Sequence, residues 1–446
     1  MSAPGIIVAA PASGAGKTTL TLGIMTALHR RGLKVGSFKV GPDYIDPAFH
    51  TMVTGRPAYN IDPWAMRFET LAGLLEESGR GCDILVGEGV MGLFDGAADG
   101  SGSTADVAAL FGLPVVLTVD VTGMGASVAA LIDGFRRHRE DVDILGVILN
   151  RIASPAHLEL LSRACFEHVS TPVIGSIPRD ATLSLPSRHL GLVQAAEHPD
   201  LASFLDAAAD LVEARLDLDR IQRLARPPSV SLLGPDTRPL PALGQRIAVA
   251  HDRAFAFTYA AVLEGWRRQG AELLPFSPLA DEAPDVSADS VYLPGGYPEL
   301  HPAALAGNDR FLAGLRAAAE RAAFIYGECG GYMVLGRSLI DRQGKSHPMA
   351  GLLPVVTSFA EPKLHLGYRQ IELISPCPLG RLGAGYRGHE FHYAREHERS
   401  GTALFHARCA RGQDLGEQGC RSGSVMGSFL HLIDRTAGRP PVPRSA

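Results

Sequence analysis

The stretch GIIVAAPASGAGKTTL, residues 5–20, decides how the first half of the chain folds. Ile6 to Ala10 reads as a short apolar strand, and the spacing after it predicts a helix over Gly16 to Arg31, so the glycines fall in the turn between the two. A loop in that position turns its backbone N–H groups and the positive end of a helix toward phosphate. The Lys ammonium then reaches the terminal phosphates, and the hydroxyl that follows it ligates Mg²⁺. Ser13, Gly14, Ala15, Gly16, Lys17, Thr18 and Thr19 are accordingly assigned to ATP, with Thr18 also on the metal. One departure is Pro11, which stands where the first glycine of G-x-x-x-x-G-K-[ST] is usual.

After this loop, KVGSFKV, CDILVGEG, PVVLTVD, ILGVILN and TPVIGSI follow one another to about residue 195 with helical stretches between them. That alternation predicts a parallel sheet covered by helices. An amphipathic stretch runs from Leu201 to Ala225, and Pro227, Pro228, Pro235, Pro239 and Pro241 then mark a linker. Strand–helix alternation restarts with RIAVA, a helix over Ala260 to Gln269, AELLPF, SVYLPGG and AAFIYGE. The chain is therefore expected to be α/β in two domains: residues 1–200, a helix and Pro-rich linker over 201–245, and residues 246–446.

Composition bounds the function. The 446 residues carry a formal charge of −5, with −7 on residues 1–226 and +2 on the remainder, which argues against a nucleic-acid-coating or membrane-surface protein. No apolar run approaches the roughly 18–20 residues of a membrane span, and the N-terminus lacks a basic segment followed by an apolar one, so a cytoplasmic protein is expected. The six cysteines form no CxxC pair and no zinc spacing. Of 42 cationic residues 37 are Arg; the five Lys are Lys17, Lys34, Lys39, Lys345 and Lys363, and in so Arg-rich a chain a compact ammonium invites a functional reading.

Carboxylates at the C-terminal ends of parallel strands face the crevice where ligands bind. SFKVGPDYIDP supplies Asp43 and Asp46, and CDILVGEGVMGLFDG supplies Glu88 and Asp95. Glu88 is assigned to Mg²⁺ beside Thr18, because this ion takes hard oxygen ligands near phosphates. Lys39, on the strand leading to Asp43, is placed to neutralise phosphate charge, and Asn150 at a strand end offers its amide to the nucleotide base or caps a turn.

In the second domain, FIYGECGGYMVLG sets Cys329 between a strand and a helix with small residues around it, the pattern of a nucleophile elbow whose helix N-terminus lowers the thiol pKa. Gly295 and Gly296 of VYLPGGYPE are candidates for an oxyanion hole. A thiolate needs a base, for which His365, His389, His392 and His431 are available; His431 in GSFLHLID, at the end of an apolar strand-like run, is preferred.

GECGGYMVLG, LPGGYPELH and SFLH together resemble the class I glutamine amidotransferase domain, in which a Cys forms a glutamyl thioester and ammonia is released. Triad enzymes of that class place a Glu two residues after the His, whereas this chain has Ile433 there, with Asp434 nearby; corrinoid-biosynthetic members are similar in lacking that Glu. The first half resembles dethiobiotin synthetase-like P-loop enzymes. FKVGPDYIDPAFH, EGVMGLFDG, LPSRHLGLV, FSPLAD, YGECGGYMVLG and GHEFHY occur in the order of the cobyrinic or hydrogenobyrinic acid a,c-diamide synthase family, a resemblance over nearly the whole chain.

The resemblance implies a ligase of cobalamin biosynthesis. ATP phosphorylates a peripheral carboxylate of a corrin, and ammonia from glutamine displaces the phosphate, first at the c and then at the a side chain. By motif, Lys17, Thr18, Lys39 and Glu88 handle ATP and Mg²⁺, while Asp43, Asp46 and Asp95 organise the substrate carboxylate and the ammonia. Partners would be glutamine and the corrin polycarboxylate, with no nucleic acid and no membrane; a homodimer stays open. Arg179 and Arg188 are candidates to meet the corrin carboxylates, and the Arg-rich composition leans toward the metal-free corrin. His389, Glu390 and His392 of GHEFHY receive no role from sequence. The alternatives are a cobyric acid synthase-like or nickel sirohydrochlorin-type ligase, a glutaminase subunit serving another synthetase, and a P-loop switch ATPase, the last disfavoured because Ala12 replaces its signature Lys.

Overall fold

The computed structural model describes residues 3–180, 183, 187–188, 191–192, 194–197, 200–229 and 237–436. They divide into two compact units, Met1–Trp64 with Leu71–Pro235, and Ala65–Thr70 with Asp236–Ala446. Among the described residues no helix is long and apolar enough to cross a membrane.

The first unit is built on seven strands: β1 (Gly5–Ala9), β2 (Val35–Val40), β3 (Tyr59–Ile61), β4 (Ile84–Glu88), β5 (Val115–Asp120), β6 (Ile144–Ile152) and β7 (Val173–Pro178). They pair in the order β3-β2-β4-β1-β5-β6-β7, each pair parallel. Helices on both faces bury the strands, which explains why they read as continuous apolar runs. The loop after β1 enters α1 (Lys17–Arg30), and the loop after β2 enters α2 (Ile45–Thr54), so both end at the same edge of the sheet. Strand β3 escapes sequence reading because three residues carry no usable period. The Leu201–Arg215 and Leu218–Leu224 helices belong to this unit; Arg30 on α1 bridges Asp206 and Asp210, each at 2.6 Å.

In the second unit, β8 (Arg246–Ala250), β9 (Glu272–Phe276), β10 (Ser290–Leu293) and β11 (Phe324–Glu328) are parallel neighbours around a core that includes Phe255, Phe311 and Tyr332. After β11 comes the short helix α3 (Gly330–Leu335). The chain then builds an antiparallel sheet from β12 (His365–Leu373), β13 (Gly385–His392), β14 (Phe405–Cys409) and β15 (Asp414–Gln418). It returns to the first sheet with β16 (Cys420–Ser422) and β17 (Val425–Ser428), and finishes with β18 (Leu430–Arg435) beside β13. The two orders are β9-β8-β10-β11-β17-β16 and β15-β14-β12-β13-β18. Ser338–Ile340, Ser346–Pro348, Val355–Ser358 and Arg395–Arg399 form a further small sheet. Strand–helix alternation thus stops at α3, and sequence reading, which carried it to the C-terminus, misses this antiparallel part. One residue, Phe429, lets the chain change sheets between Ser428 and Leu430.

Glu88 is delivered by a close approach of β4 to β2. Phe38 is fully buried opposite Gly87, and a Cβ on Gly87 would stand 2.2 Å from the Phe38 ring. Gly87→Ala is therefore expected to destabilise the protein by about 1–3 kcal/mol, the usual cost of overpacking, read as a lowered urea midpoint.

Candidate functional site

Gly14 and Gly16 adopt φ of 78° and 87°, so the loop turns sharply into α1 with a left-handed residue at the helix cap. Ser13 and Gly14 are exposed on its rim, Ala15 is buried, and the Thr19 hydroxyl lies 3.5 Å from the Leu183 carbonyl. Lys17 Nζ donates to the Met91 carbonyl at 2.5 Å and to that of Ala12 at 3.4 Å, holding the ammonium over the loop. Burial, then the nearby Lys39 charge, push the Lys17 ammonium down to about 8. Asn150, expected either at the nucleotide base or in a turn, bonds backbone. Its Nδ2 donates to Ala15 O at 2.8 Å and would stand 2.5 Å from a Cβ on Gly16, while its Oδ1 accepts from the Arg151 N–H. The amide is spent on the phosphate loop, at a position only 7% exposed.

Behind the loop the C-terminal ends of β2 and β4 bring four charged groups together. The Thr18 hydroxyl donates to Glu88 Oε1 at 2.6 Å and lies 3.5 Å from Asp46 Oδ2. Lys39 Nζ contacts Asp46 directly, Glu88 Oε1 at 2.9 Å and Asp43 Oδ2 at 3.9 Å. On the other side of Glu88, His50 Nε2 sits 2.8 Å from Oε2; this α2 residue was missed by sequence reading, although it ends the FKVGPDYIDPAFH motif. Burial alone would raise Glu88, but Lys39 and then His50 hold it well below the carboxylate range. Lys39 moves the opposite way: burial lowers it, and Asp46, Glu88 and Asp43 together keep it firmly charged. Burial, Asp43 and Glu88 raise Asp46 against the pull of Lys39.

Asp43 also caps its own turn, accepting from the Ile45 N–H at 2.7 Å. Asp95 lies outside the cluster, being exposed and bonded at 2.9 Å to the Gly92 N–H, near enough to Lys17 only to raise its pKa. Arg179 is exposed and donates to the Thr122 hydroxyl at 3.3 Å; the side chain of Arg188 lies outside the described residues. The Thr18 hydroxyl and the Glu88 carboxylate, 2.6 Å apart beside the phosphate loop, offer hard oxygens, a donor set that fits Mg²⁺ beside a bound triphosphate.

In the second unit Cys329 occupies the turn from β11 to α3 with φ 47° and ψ −103°, a strained conformation for a residue with a Cβ. Its N–H donates to Ser428 O at 2.8 Å, which ties the elbow to β17, and its thiol lies 4.0 Å from the Phe391 carbonyl on β13. The helix end contributes the expected lowering through the Gly330 N–H, but other effects outweigh it. Burial pushes Cys329 well up and Glu299 adds to it, against which the Gly330 N–H of a six-residue helix is too little. Burial, with His389 and His392 adding, also holds His431 well below its usual range. Burial thus works against charge on the thiol and on the imidazole alike.

His431 stands at the second position of β18 rather than at the end of a single long strand, and its backbone faces His389 across the ladder. Gly295 packs directly on it: a Cβ there would lie 2.4 Å from His431 Cε1. The Gly296 N–H comes within 3.1 Å of where a Cβ on Gly330 would stand, so the backbone of this loop closes on the elbow.

GHEFH, residues 388–392, forms the C-terminal part of β13, flanking both Cys329 and His431. Glu390 accepts from Arg369 at 2.6 Å and from His392 Nε2 at 2.8 Å, and it lies well below its ordinary range, near 2, because His392 and Arg369 outweigh burial. His365, Glu390 and His392 offer ligand atoms within 4.8 Å of one another, but the Arg369 guanidinium already supplies the positive charge at Glu390. Asp434 is committed to Arg67, accepting its N–H at 2.9 Å and its guanidinium at 3.0 Å, while Ile433 is fully buried.

Residues 6–193 match the CobQ/CobB/MinD/ParA nucleotide binding domain family, and residues 246–437 the CobB/CobQ-like glutamine amidotransferase domain family. A nucleotide-binding unit joined to a glutamine amidotransferase unit makes this a glutamine-dependent amide-forming ligase. The chain is 54% identical over 435 residues to hydrogenobyrinate a,c-diamide synthase of Brucella abortus biovar 1, covering 96% of this chain and 98% of that protein. It is 52% identical over 431 residues to the Rhizobium meliloti enzyme of the same name, covering 96% and 99%, and 51% identical over 433 residues to that of Rhodobacter capsulatus, covering 96% and 98%. The chain belongs to the hydrogenobyrinate a,c-diamide synthase family.

With Lys17 near 8, the nucleotide site takes up a proton on binding once the pH exceeds that value. ATP affinity is expected to fall roughly tenfold between about pH 7 and about pH 9, measured by calorimetry in buffers of different ionisation enthalpy. Lys39→Met is expected to abolish ATP-dependent turnover and to cost about 3–5 kcal/mol of stability, because Glu88 and Asp46 are left buried without their cation.

Proposed function

We propose that the protein amidates the a and c side-chain carboxylates of hydrogenobyrinic acid, the metal-free corrin, with glutamine as nitrogen donor and ATP as activating agent. The observation that carries this reading is the presence, in one chain, of a Cys nucleophile elbow beside a buried His and of a phosphate loop backed by the Thr18, Lys39, Asp46 and Glu88 cluster. The names of the full-length relatives support the corrin as substrate.

In the second unit, the Cys329 thiol gives its proton to His431 as sulfur attacks the carboxamide carbon of glutamine. The oxyanion is met by the Gly295 and Gly296 N–H groups. His431 passes the proton to the leaving nitrogen, ammonia departs, and water cleaves the glutamyl thioester to glutamate and the free thiol. In the first unit, a corrin carboxylate attacks the terminal phosphorus of ATP and ADP leaves. Oxide is too poor a leaving group for direct amidation, and the acyl phosphate formed here replaces it with phosphate, which ammonia then displaces. Lys17 and Lys39 offset the negative charge that gathers on the transferring group, and Asp43 and Asp46 orient the carboxylate and hold a proton of the incoming ammonia. Thr18 and Glu88 would hold Mg²⁺, which supplies charge neutralisation at the phosphates when bound.

Phosphate release from ATP and glutamine is expected to rise on adding hydrogenobyrinic acid; stimulation by cobyrinic acid alone would reassign the substrate. Cys329→Ser is expected to lose glutamine-dependent amidation while keeping amidation from added ammonium, and Lys17→Ala to lose both.

A further inference from the structure

We infer that Glu328 is the positioning residue of the glutamine site, its carboxylate standing beside His431 as the partner that Ile433 cannot be. This rests on the reading of Cys329 and His431 as nucleophile and base. Glu328 Oε2 lies 3.8 Å from His431 Nδ1. The carboxylate is fixed on both sides: Oε2 accepts from the Tyr292 hydroxyl at 2.8 Å, and Oε1 accepts from the Leu432 N–H at 3.2 Å. Tyr292 is itself stacked on Tyr326, with ring centroids 6.2 Å apart, so the phenol that holds the carboxylate has little room to move.

Chain connectivity makes this placement specific. Glu328 is bonded to Cys329, and the residue whose N–H it accepts is bonded to His431. One side chain therefore joins the strand that carries the nucleophile to the strand that carries the base. Of the other acids around the site, Asp434 is engaged with Arg67 and Glu390 with Arg369 and His392, while Glu299 acts on the Cys329 side, where it raises the thiol. At 3% exposure, a carboxylate held by one phenol and one amide is expensive to bury, and burial pushes it up to about 7 despite the Leu432 N–H and Tyr292.

The chemistry gives that cost a use. When the thiol proton moves to the imidazole, a cation appears in a site that excludes water. A carboxylate beside Nδ1 offsets that cation and holds the ring, as the acid of a nucleophile–His–acid triad does. The proton travels from sulfur to imidazole to the leaving nitrogen; Glu328 neither gains nor loses one over the cycle.

Glu328→Gln removes the charge and keeps one oxygen acceptor for the Leu432 N–H, while its amide NH2 can donate to the Tyr292 hydroxyl oxygen. The full chain is assayed with ATP and hydrogenobyrinic acid, using either glutamine or ammonium chloride as nitrogen donor. The variant is expected to lose roughly 10²-fold in glutamine-dependent kcat, keep its KM for glutamine within about twofold, and amidate from ammonium at the wild-type rate. Glu328→Asp is expected to recover part of that kcat. Wild-type kcat in Glu328→Gln overturns the inference, and so does a parallel loss of ammonium-dependent amidation, which would make Glu328 a prop of the fold. Cys329→Ser that still consumes glutamine would instead sink the underlying reading, whatever Glu328→Gln does.

Discussion

An ammonium buried among three carboxylates governs the first unit. Lys39 touches Asp46, lies 2.9 Å from Glu88 and 3.9 Å from Asp43, and is 3% exposed. Three charges out of water, those of Lys39, Asp46 and Glu88, are tolerable only if each has partners, and the surrounding architecture supplies them. Strands β2 and β4 end side by side, α1 lends Thr18 and α2 lends His50, so that every oxygen of Glu88 is used. The phosphate loop is braced from the other direction by Asn150, reaching across from β6. Nucleotide chemistry here depends on packing as much as on the loop itself, because Phe38 and Gly87 set the spacing of the two strands that carry Lys39 and Glu88.

The second unit solves a different problem, that of bringing two distant pieces of sequence to one point. Cys329 lies at the end of a parallel strand and His431 in an antiparallel one. Both are drawn to Glu328, which precedes Cys329 in sequence and lies 3.8 Å from His431 Nδ1, because Ser428, paired with Glu328 on β11, is followed after Phe429 by a strand of the other sheet. Gly295 leaves space for the imidazole. The GHEFHY strand completes the enclosure, and its Glu390 is neutralised by Arg369 and His392, which limits the negative charge reaching the thiol.

Much of this was legible in the residues. The phosphate loop, the paired acidic segments and the strand–Cys–helix turn are short local patterns whose function depends on neighbours in sequence, and local patterns survive without coordinates. His50 and Glu328 were missed, and the partner of Asn150 was left open, for the opposite reason. An amide at a strand end bonds a base or a loop with equal ease, and only the approach of β6 to Ala15 decides between them. His50 and Glu328 act on residues 38 and 103 positions away, and no period or spacing encodes such contacts. The antiparallel sheet was missed because its strands before β18 carry Arg, Glu, His and Asp among their apolar residues, so they lack the apolar runs that mark the parallel ones.

The depth of Cys329 bears on durability as well as on catalysis. Sulfur is oxidised in proportion to its thiolate character and its exposure, and at this elbow both are suppressed: the side chain is 3% exposed and burial keeps the proton on it. A nucleophile uncovered only when a proton can pass to His431 has little reactivity toward peroxide between turnovers. The same burial that makes the thiol slow to ionise thus gives an idle enzyme molecule a long chemical lifetime.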